Sequence, residues 1–126
     1  MIYKASVLIN IFFKTLFLYF FFRFNSFKTI IEKISNHETK KGTIKISPLR
    51  RVAFIRLILK YFLLSKNCFH KAFISTIILR DSGINAQFVI GVSLDSSFKS
   101  HAWVENNDSP ILESFELKKF KVIQKI

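Results

Sequence analysis

The residue with the clearest potential for covalent chemistry is Cys68, the single cysteine of the chain. Asn67 directly before it is a good N-cap residue, which places Cys68 at the first position of a predicted helix. Free main-chain N–H groups and the helix dipole favour an anion there, so the pKa of a thiol falls and the thiolate becomes a nucleophile. Most single cysteines are small core hydrophobes, so an inert, structural Cys68 is the alternative.

A reactive thiol needs a base, and the sequence offers three histidines. His70 is too close to Cys68, because side chains two residues apart do not face each other on a helix. His37 falls in a polar segment that we predict to be a linker. His101 opens a predicted strand, from which it can reach the helix start across the domain. His101 is therefore the candidate general base, although a strand histidine is also commonly structural.

A catalytic imidazole is oriented by a third group, and three acids follow His101 along the chain. Glu105 lies on the same strand at a distance of about 13 Å, at ~3.3 Å per residue, which is too far. Asp108 lies in a predicted turn, where a carboxylate more often bonds the local main chain. Glu113, on the next predicted strand, is the remaining candidate.

The choice of Glu113 depends on the register of the predicted hairpin. A loop at residues 106–108 pairs Glu105 with Ser109 and puts Glu113 directly opposite His101, with Cβ atoms about 5 Å apart. A loop one residue longer or shorter turns Glu113 to the other face of the sheet.

The elements that must position these residues are helices first and strands afterwards. Apolar periodicity, capping residues and Gly83 as a helix stop predict the helices, and β-branched and aromatic runs predict the strands. The order of elements predicts an α+β domain with N-terminal helices followed by an antiparallel sheet. The predicted helices cover residues 5–24, 25–34, 49–64 and 68–83, and the predicted strands cover 85–92, 101–105, 110–116 and 118–126.

Residues 5–24 are strongly apolar and allow three interpretations. No small-residue cleavage site follows them, which argues against a signal peptide. A membrane span needs about 20 apolar residues, and this run is interrupted by Asn10, Lys14 and Thr15. Ser6, Asn10 and Lys14 share one stripe of a helix, which favours a buried or interfacial amphipathic helix. A membrane span remains the alternative.

The polar segment 37–48, broken by Gly42 and Pro48, is the best linker candidate in the chain. It divides the chain into an N-terminal apolar helical region with its linker, residues 1–46, and a second domain, residues 47–126. Either part is small, and the whole length of 126 residues suits a single compact unit.

The net charge of +12 favours acidic partners such as nucleic acid, lipid headgroups or peptides, or is simply a solvated basic surface. No nucleic-acid-binding motif accompanies it, so we predict no nucleic-acid partner.

No metal-ligand spacing or nucleotide-binding loop occurs, so we predict neither a metal nor a cofactor. A single cysteine excludes an internal disulfide and favours a cytoplasmic location, with membrane-surface contact through residues 5–24 as a further expectation.

The stretch NCFHKAFISTIILRDSGINAQFVIGV, followed by SHAWVENNDSPILES, resembles the leader peptidases of lasso-peptide biosynthesis, also called microcin-processing proteins. These have a transglutaminase-like, papain-like domain. Their pattern is a Cys, a basic residue three positions on, a helix ending in Gly, an Ile-Gly-Val strand, a His-Ala-Trp-Val-Glu strand and an acid on the next strand. The resemblance covers residues 60–115, and the matching positions are Cys68, Lys71, Gly83, Ile90–Val92, His101–Glu105 and Glu113.

The resemblance implies that residues 47–126 form a cysteine peptidase domain that removes the leader peptide from a ribosomally made precursor. Cys68 is then the nucleophile and His101 the base and later the acid. Glu113 stands where the family usually has Asp. The family also implies two partners, a leader-recognition protein and an ATP-dependent lasso cyclase.

Two further residues are candidates for substrate binding. Trp103 could form a wall of the site, with a role in the core as the alternative. Gly91 could allow the main chain to approach the substrate closely, with a simple strand irregularity as the alternative.

Two other functions stay open at the level of the sequence. One is a non-catalytic, membrane-associated binding module with the same fold. The other is an enzyme that transfers amides, as transglutaminases do.

Overall fold

The computed structural model describes residues 2–40, 47–65, 67–93, 99–111 and 120–126. Within these residues, helices precede an antiparallel sheet, which confirms the predicted α+β class. The helices are α1 (Ile2–Phe24), α2 (Phe27–Asn36), α3 (Pro48–Tyr61) and α4 (Cys68–Asp81). The strands are β1 (Ala86–Ser93), β2 (Ser100–Asn106), β3 (Ser109–Pro110) and β4 (Phe120–Lys125).

Local sequence signals begin and end these helices. Ser26 caps α2 by accepting a hydrogen bond from the Thr29 N–H, and Ser47 caps α3 ahead of Pro48 in the first turn. Proline suits that position because its missing N–H would be unpaired in any case. Gly83 follows the end of α4 with a φ of 86°, the left-handed conformation predicted for a helix stop.

The sheet has the order β3-β2-β1-β4 and is antiparallel at every pairing. The β2–β3 hairpin differs from the predicted register, because Glu105 pairs with Pro110 instead of Ser109. The loop is therefore Asn107-Asp108, two residues and not three. Both have positive φ, 54° and 62°, which is the geometry of a tight two-residue hairpin that Asn and Asp tolerate.

This register removes the geometric argument that put Glu113 opposite His101. The predicted pairing of Glu105 with Ser109 was wrong, and the position of Glu113 had been derived from it. Glu113 itself lies outside the described residues, so its role stays a prediction that depends on the resemblance alone.

Helix α4 is the centre of the core, as its nearly uniform apolar character predicts. Helices α1, α2 and α3 pack against it, and strands β1 and β2 pack against it as well. One buried cluster joins Ile11 of α1 and Ile34 of α2 to Phe73 of α4 and Phe88 of β1. The helices before residue 40 thus share a core with the sheet. Residues 41–46 of the predicted linker lie outside the described parts.

The C-terminal end of α4 is fixed by Arg80, which is buried. Its guanidinium donates to the main-chain oxygens of Ile34 in the last turn of α2, of His37 just after α2, of Ala86 in β1 and of Ile126 after β4. This one side chain therefore links α2, β1 and the residue after β4, and it holds α4 against the sheet.

Helix α1 includes the stretch Ala5–Phe24, which is long and apolar enough to cross a membrane by length and composition. Only 28% of that stretch is buried. Core helices and signal sequences meet the same criterion, so this is weak evidence for membrane association.

Candidate active site

The start of α4 places Cys68 as predicted. Asn67 has an extended main chain and its Oδ1 accepts a hydrogen bond of 2.8 Å from the Phe69 N–H, so it is the N-cap. Cys68 is the first residue of the helix, half-buried and not in a disulfide. Its own N–H belongs to the helix start, where donors have no partner within the helix.

Strand β2 brings His101 to this sulfur. Helix α4 packs on β2, which brings the buried His101 ring and the main chain of Ala102 close enough to the Cys68 sulfur to affect its ionisation. Burial raises the pKa of the Cys68 thiol, but the hydrogen bonds from His101 and Ala102 and the charge of His101 outweigh it. The net shift lowers the pKa, so the site favours a thiolate.

Aromatic rings hold the His101 imidazole in place. Trp103 stacks on it with ring centroids 5.7 Å apart, and Phe120 of β4 packs at 5.4 Å. The Trp103 indole N–H donates a hydrogen bond of 2.7 Å to the carboxylate of the buried Glu105. Lys125 of β4 pairs with the same carboxylate at 3.0 Å. Contacts from the exposed Lys125 through the buried Glu105 thus fix the Trp103 ring, on which the histidine rests.

Gly91 is the residue directly across the strand pair from His101. A Cβ at this position would lie 2.8 Å from the Trp103 indole and 3.0 Å from the Phe120 Cβ. Glycine is therefore required for the ring packing beneath the histidine. Neither Gly91 nor Trp103 lines the cavity described below, and Trp103 is buried. Substrate contact by these two residues stays a prediction, and their described contacts favour a structural role.

The candidate acids have separate positions. Glu105 bonds Trp103, and the exposed Asp108 pairs with Lys125 at 2.8 Å, an interaction that lowers the pKa of Asp108. Asp108 thus pairs with a side chain of β4, and not with the local main chain that we expected from the turn. Glu113, the predicted third residue, lies outside the described parts of the chain.

The other two histidines serve the fold. His70 bonds the Ser65 hydroxyl at 2.7 Å and packs against the rings of Tyr19 and Phe22, so it faces α1 and not Cys68. Burial and, secondarily, the charge of Arg23 lower the pKa of His70. His37 bonds Asp81 at 2.7 Å.

Cys68 and His101 line a cavity of about 670 Å³. The opposite wall comes from α3, whose Arg56, Leu57 and Lys60 face the same space, and Lys71 of α4 adds a third cation. Helix α3 was not among the elements that we predicted to form the site. The spacing of Arg56 and Lys60, one helical turn apart, was the available signal, but it does not reveal which way the helix packs.

One comparison with known proteins identifies the fold family. A family model described as the transglutaminase-like superfamily matches residues 16–125, from within α1 to the end of β4. The chain belongs to the transglutaminase-like superfamily. No curated protein and no solved structure matches it significantly. The match confirms the transglutaminase-like part of the sequence prediction.

The transglutaminase-like superfamily includes cysteine-peptidase-type and amide-transfer activities. Both begin with a thiolate that attacks an amide carbonyl, and they differ in whether water or an amine accepts the acyl group. The transglutaminase-like site of this chain has the two groups that this chemistry needs first, a sulfur with a lowered pKa and an imidazole in contact with it.

Proposed function

We propose that this protein is a cysteine peptidase that removes the leader peptide from a ribosomally made lasso-peptide precursor. The observation that carries the catalytic part is the position of His101 beside the Cys68 sulfur, where both residues line the same open cavity and His101 lowers the pKa of the thiol. The choice of a leader peptide as substrate is supported by the resemblance over residues 60–115, where the Cys, Gly and His-Ala-Trp-Val-Glu positions occur in the family order.

The proposed reaction has two steps. The Cys68 thiolate attacks the carbonyl carbon of the scissile peptide bond, and protonated His101 gives its proton to the leaving amine as the C–N bond breaks. The carboxyl-side product leaves, and the leader remains as a thioester on Cys68. His101 then takes a proton from a water molecule, which attacks the thioester and releases the leader as an acid.

Glu113 is proposed as the residue that orients the second nitrogen of the His101 ring, on the strength of the resemblance. It is one methylene longer than the Asp usual at this position. The family further supports two partners in the same maturation, a leader-recognition protein and an ATP-dependent lasso cyclase.

The test is cleavage of a synthetic precursor peptide by the full chain and by two variants, Cys68→Ala and His101→Ala. Each variant should lose at least about 10⁴-fold in kcat/KM, because residues of such a unit act together. His70→Gln is the matched control, since this histidine is on α4 but bonds Ser65. It should retain activity within a few-fold.

Cleavage by either variant at more than a hundredth of the wild-type rate would contradict the assignment. Mass spectrometry of the products in the presence of a primary amine separates hydrolysis from amide transfer. A carboxylic acid product supports the peptidase proposal. A dominant amide product would contradict it and would show that the protein is an amide transferase.

A further inference from the structure

The outward face of α1 carries a continuous row of large apolar side chains. Ile9, Phe13, Phe17, Phe20 and Phe24 recur at steps of three and four residues and share one face of the helix. They are exposed to solvent, Phe13 and Phe17 by 63% and 64% and Phe24 by 76%. The row is roughly 22 Å long at about 1.5 Å per residue. Soluble proteins rarely expose so large an apolar surface without a binding role.

The apolar surface continues from α1 onto α3. A groove of about 470 Å³ runs between the two helices and is lined almost wholly by apolar atoms. Its α3 wall includes Leu57, Tyr61 and Phe62, all of which are exposed. Leu57 also lines the cavity of Cys68 and His101. The exposed apolar surface of α1 and α3 therefore reaches the entrance of the candidate active site.

Positive charge borders this surface at the same entrance. Arg56 and Lys60 lie beside Leu57 on α3 and line the catalytic cavity, and Lys71 lies across it on α4. No Asp or Glu is among the described residues that line either cavity. An apolar face with a cationic border matches a bilayer of anionic lipids, in which acyl chains lie beneath negative headgroups.

We propose that the α1–α3 apolar surface, with Arg56 and Lys60 at its border, binds the surface of an anionic membrane and holds the entrance of the catalytic cavity at the level of the headgroups.

The opposite face of α1 indicates that the helix lies on the bilayer and does not span it. Val7, Ile11 and Leu18 are buried in the main core cluster, and Lys14 pairs with Asp81 of α4 at 3.2 Å. A span would have to pull these side chains out of the core. Lying in the interface keeps them buried and covers the outward row.

The test is co-sedimentation of the full chain with two kinds of vesicle, one of phosphatidylglycerol mixed with phosphatidylcholine and one of phosphatidylcholine alone. The wild-type chain should bind the mixed vesicles at least tenfold more strongly than the neutral ones. The double variant Phe13→Ser/Phe17→Ser should lose at least tenfold in binding to the mixed vesicles. The double variant Arg56→Gln/Lys60→Gln should lose about tenfold on the mixed vesicles and little on the neutral ones.

The control is Val122→Ser/Ile123→Ser, which removes two exposed apolar side chains from β4 and should bind as the wild type does. Circular dichroism verifies the fold of each variant. Hydrogen exchange on the unaltered chain gives a result that needs no variant, since mixed vesicles should slow exchange in residues 9–24 and 57–62.

The proposal would be overturned by equal binding to both vesicle types, by an equal loss of binding in the control variant, or by unchanged hydrogen exchange in those residues. A dimer in sedimentation without lipid that Phe13→Ser/Phe17→Ser dissociates would also overturn it, by showing that a second copy covers the surface. Because no cleavage is measured, the outcome is independent of the peptidase proposal.

Discussion

The two ends of α4 differ in what their main-chain polar groups bind. At the C-terminal end, the carbonyls of Ile78, Leu79 and Arg80 accept hydrogen bonds from the residues just past the helix, and the Arg80 guanidinium is surrounded by four main-chain oxygens. At the N-terminal end, Asn67 satisfies one donor, and the remaining polarity faces the Cys68 sulfur and an open cavity.

The difference shows how one buried helix can serve both stability and reactivity. At the C-terminal end, the three carbonyl groups and the Arg80 guanidinium have hydrogen-bond partners, and these bonds fix the helix in the core. The N-terminal end, which is the positive end of the helix dipole, can then favour a negative charge on sulfur, to which His101 and the main chain of Ala102 contribute. We expect reactivity at Cys68 to depend on the rigidity that Arg80 supplies at the other end of the same helix.

The largest effect that this comparison predicts is on stability, from Arg80→Met. The variant leaves four main-chain oxygens without their charged donor, and bonds to charged groups contribute roughly 1.5–3 kcal/mol each. Because such contributions are not additive, we expect the free energy of unfolding to fall by at least about 3 kcal/mol. Urea unfolding measures the change.

Arg50→Met, at an exposed position of α3, is the control and should change the free energy of unfolding by less than about 0.5 kcal/mol. A fall of under about 1 kcal/mol for Arg80→Met would contradict the anchoring role. If the folded fraction of Arg80→Met keeps the lowered Cys68 pKa of the wild type, the two ends of α4 are less coupled than we expect.

A smaller effect is expected from Asn67→Ala at the reactive end. Loss of the cap leaves the Phe69 N–H without its partner, which costs about 1 kcal/mol of unfolding free energy. Asn67→Ser retains a capping oxygen and should restore most of that loss. An equal loss in the Ser and Ala variants would show that the cap does not explain the stability of the helix start.

Local signals in the sequence were enough to predict much of the fold. The Asn67 cap and the Gly83 stop each act within one helical turn, so residue type alone indicates them. The order of helices and strands follows from hydrophobic periodicity in the same way. These features also placed Cys68 correctly at the helix start.

The parts that failed depend on distant pairings. Asn-Asn-Asp-Ser is compatible with hairpin loops of two or three residues, and the choice, with Glu105 opposite Pro110, depends on the whole ladder. The contact of Phe120 with His101 exists only because β4 pairs with β1. The wall that α3 gives to the cavity likewise depends on helix packing, which its own residues do not specify.

The central claim, that His101 makes a reactive thiolate of Cys68, is tested most directly by the pH dependence of thiol alkylation in the full chain. Iodoacetamide should react with a midpoint below the ordinary thiol pKa of about 8.5, because the lowered pKa of Cys68 keeps the thiolate present below that pH. In His101→Ala the midpoint should rise, because burial raises the pKa of Cys68 and the opposing effect of His101 is lost. In His70→Gln the midpoint should stay unchanged. A wild-type midpoint at or above about 8.5, or one that His101→Ala does not move, would contradict the account.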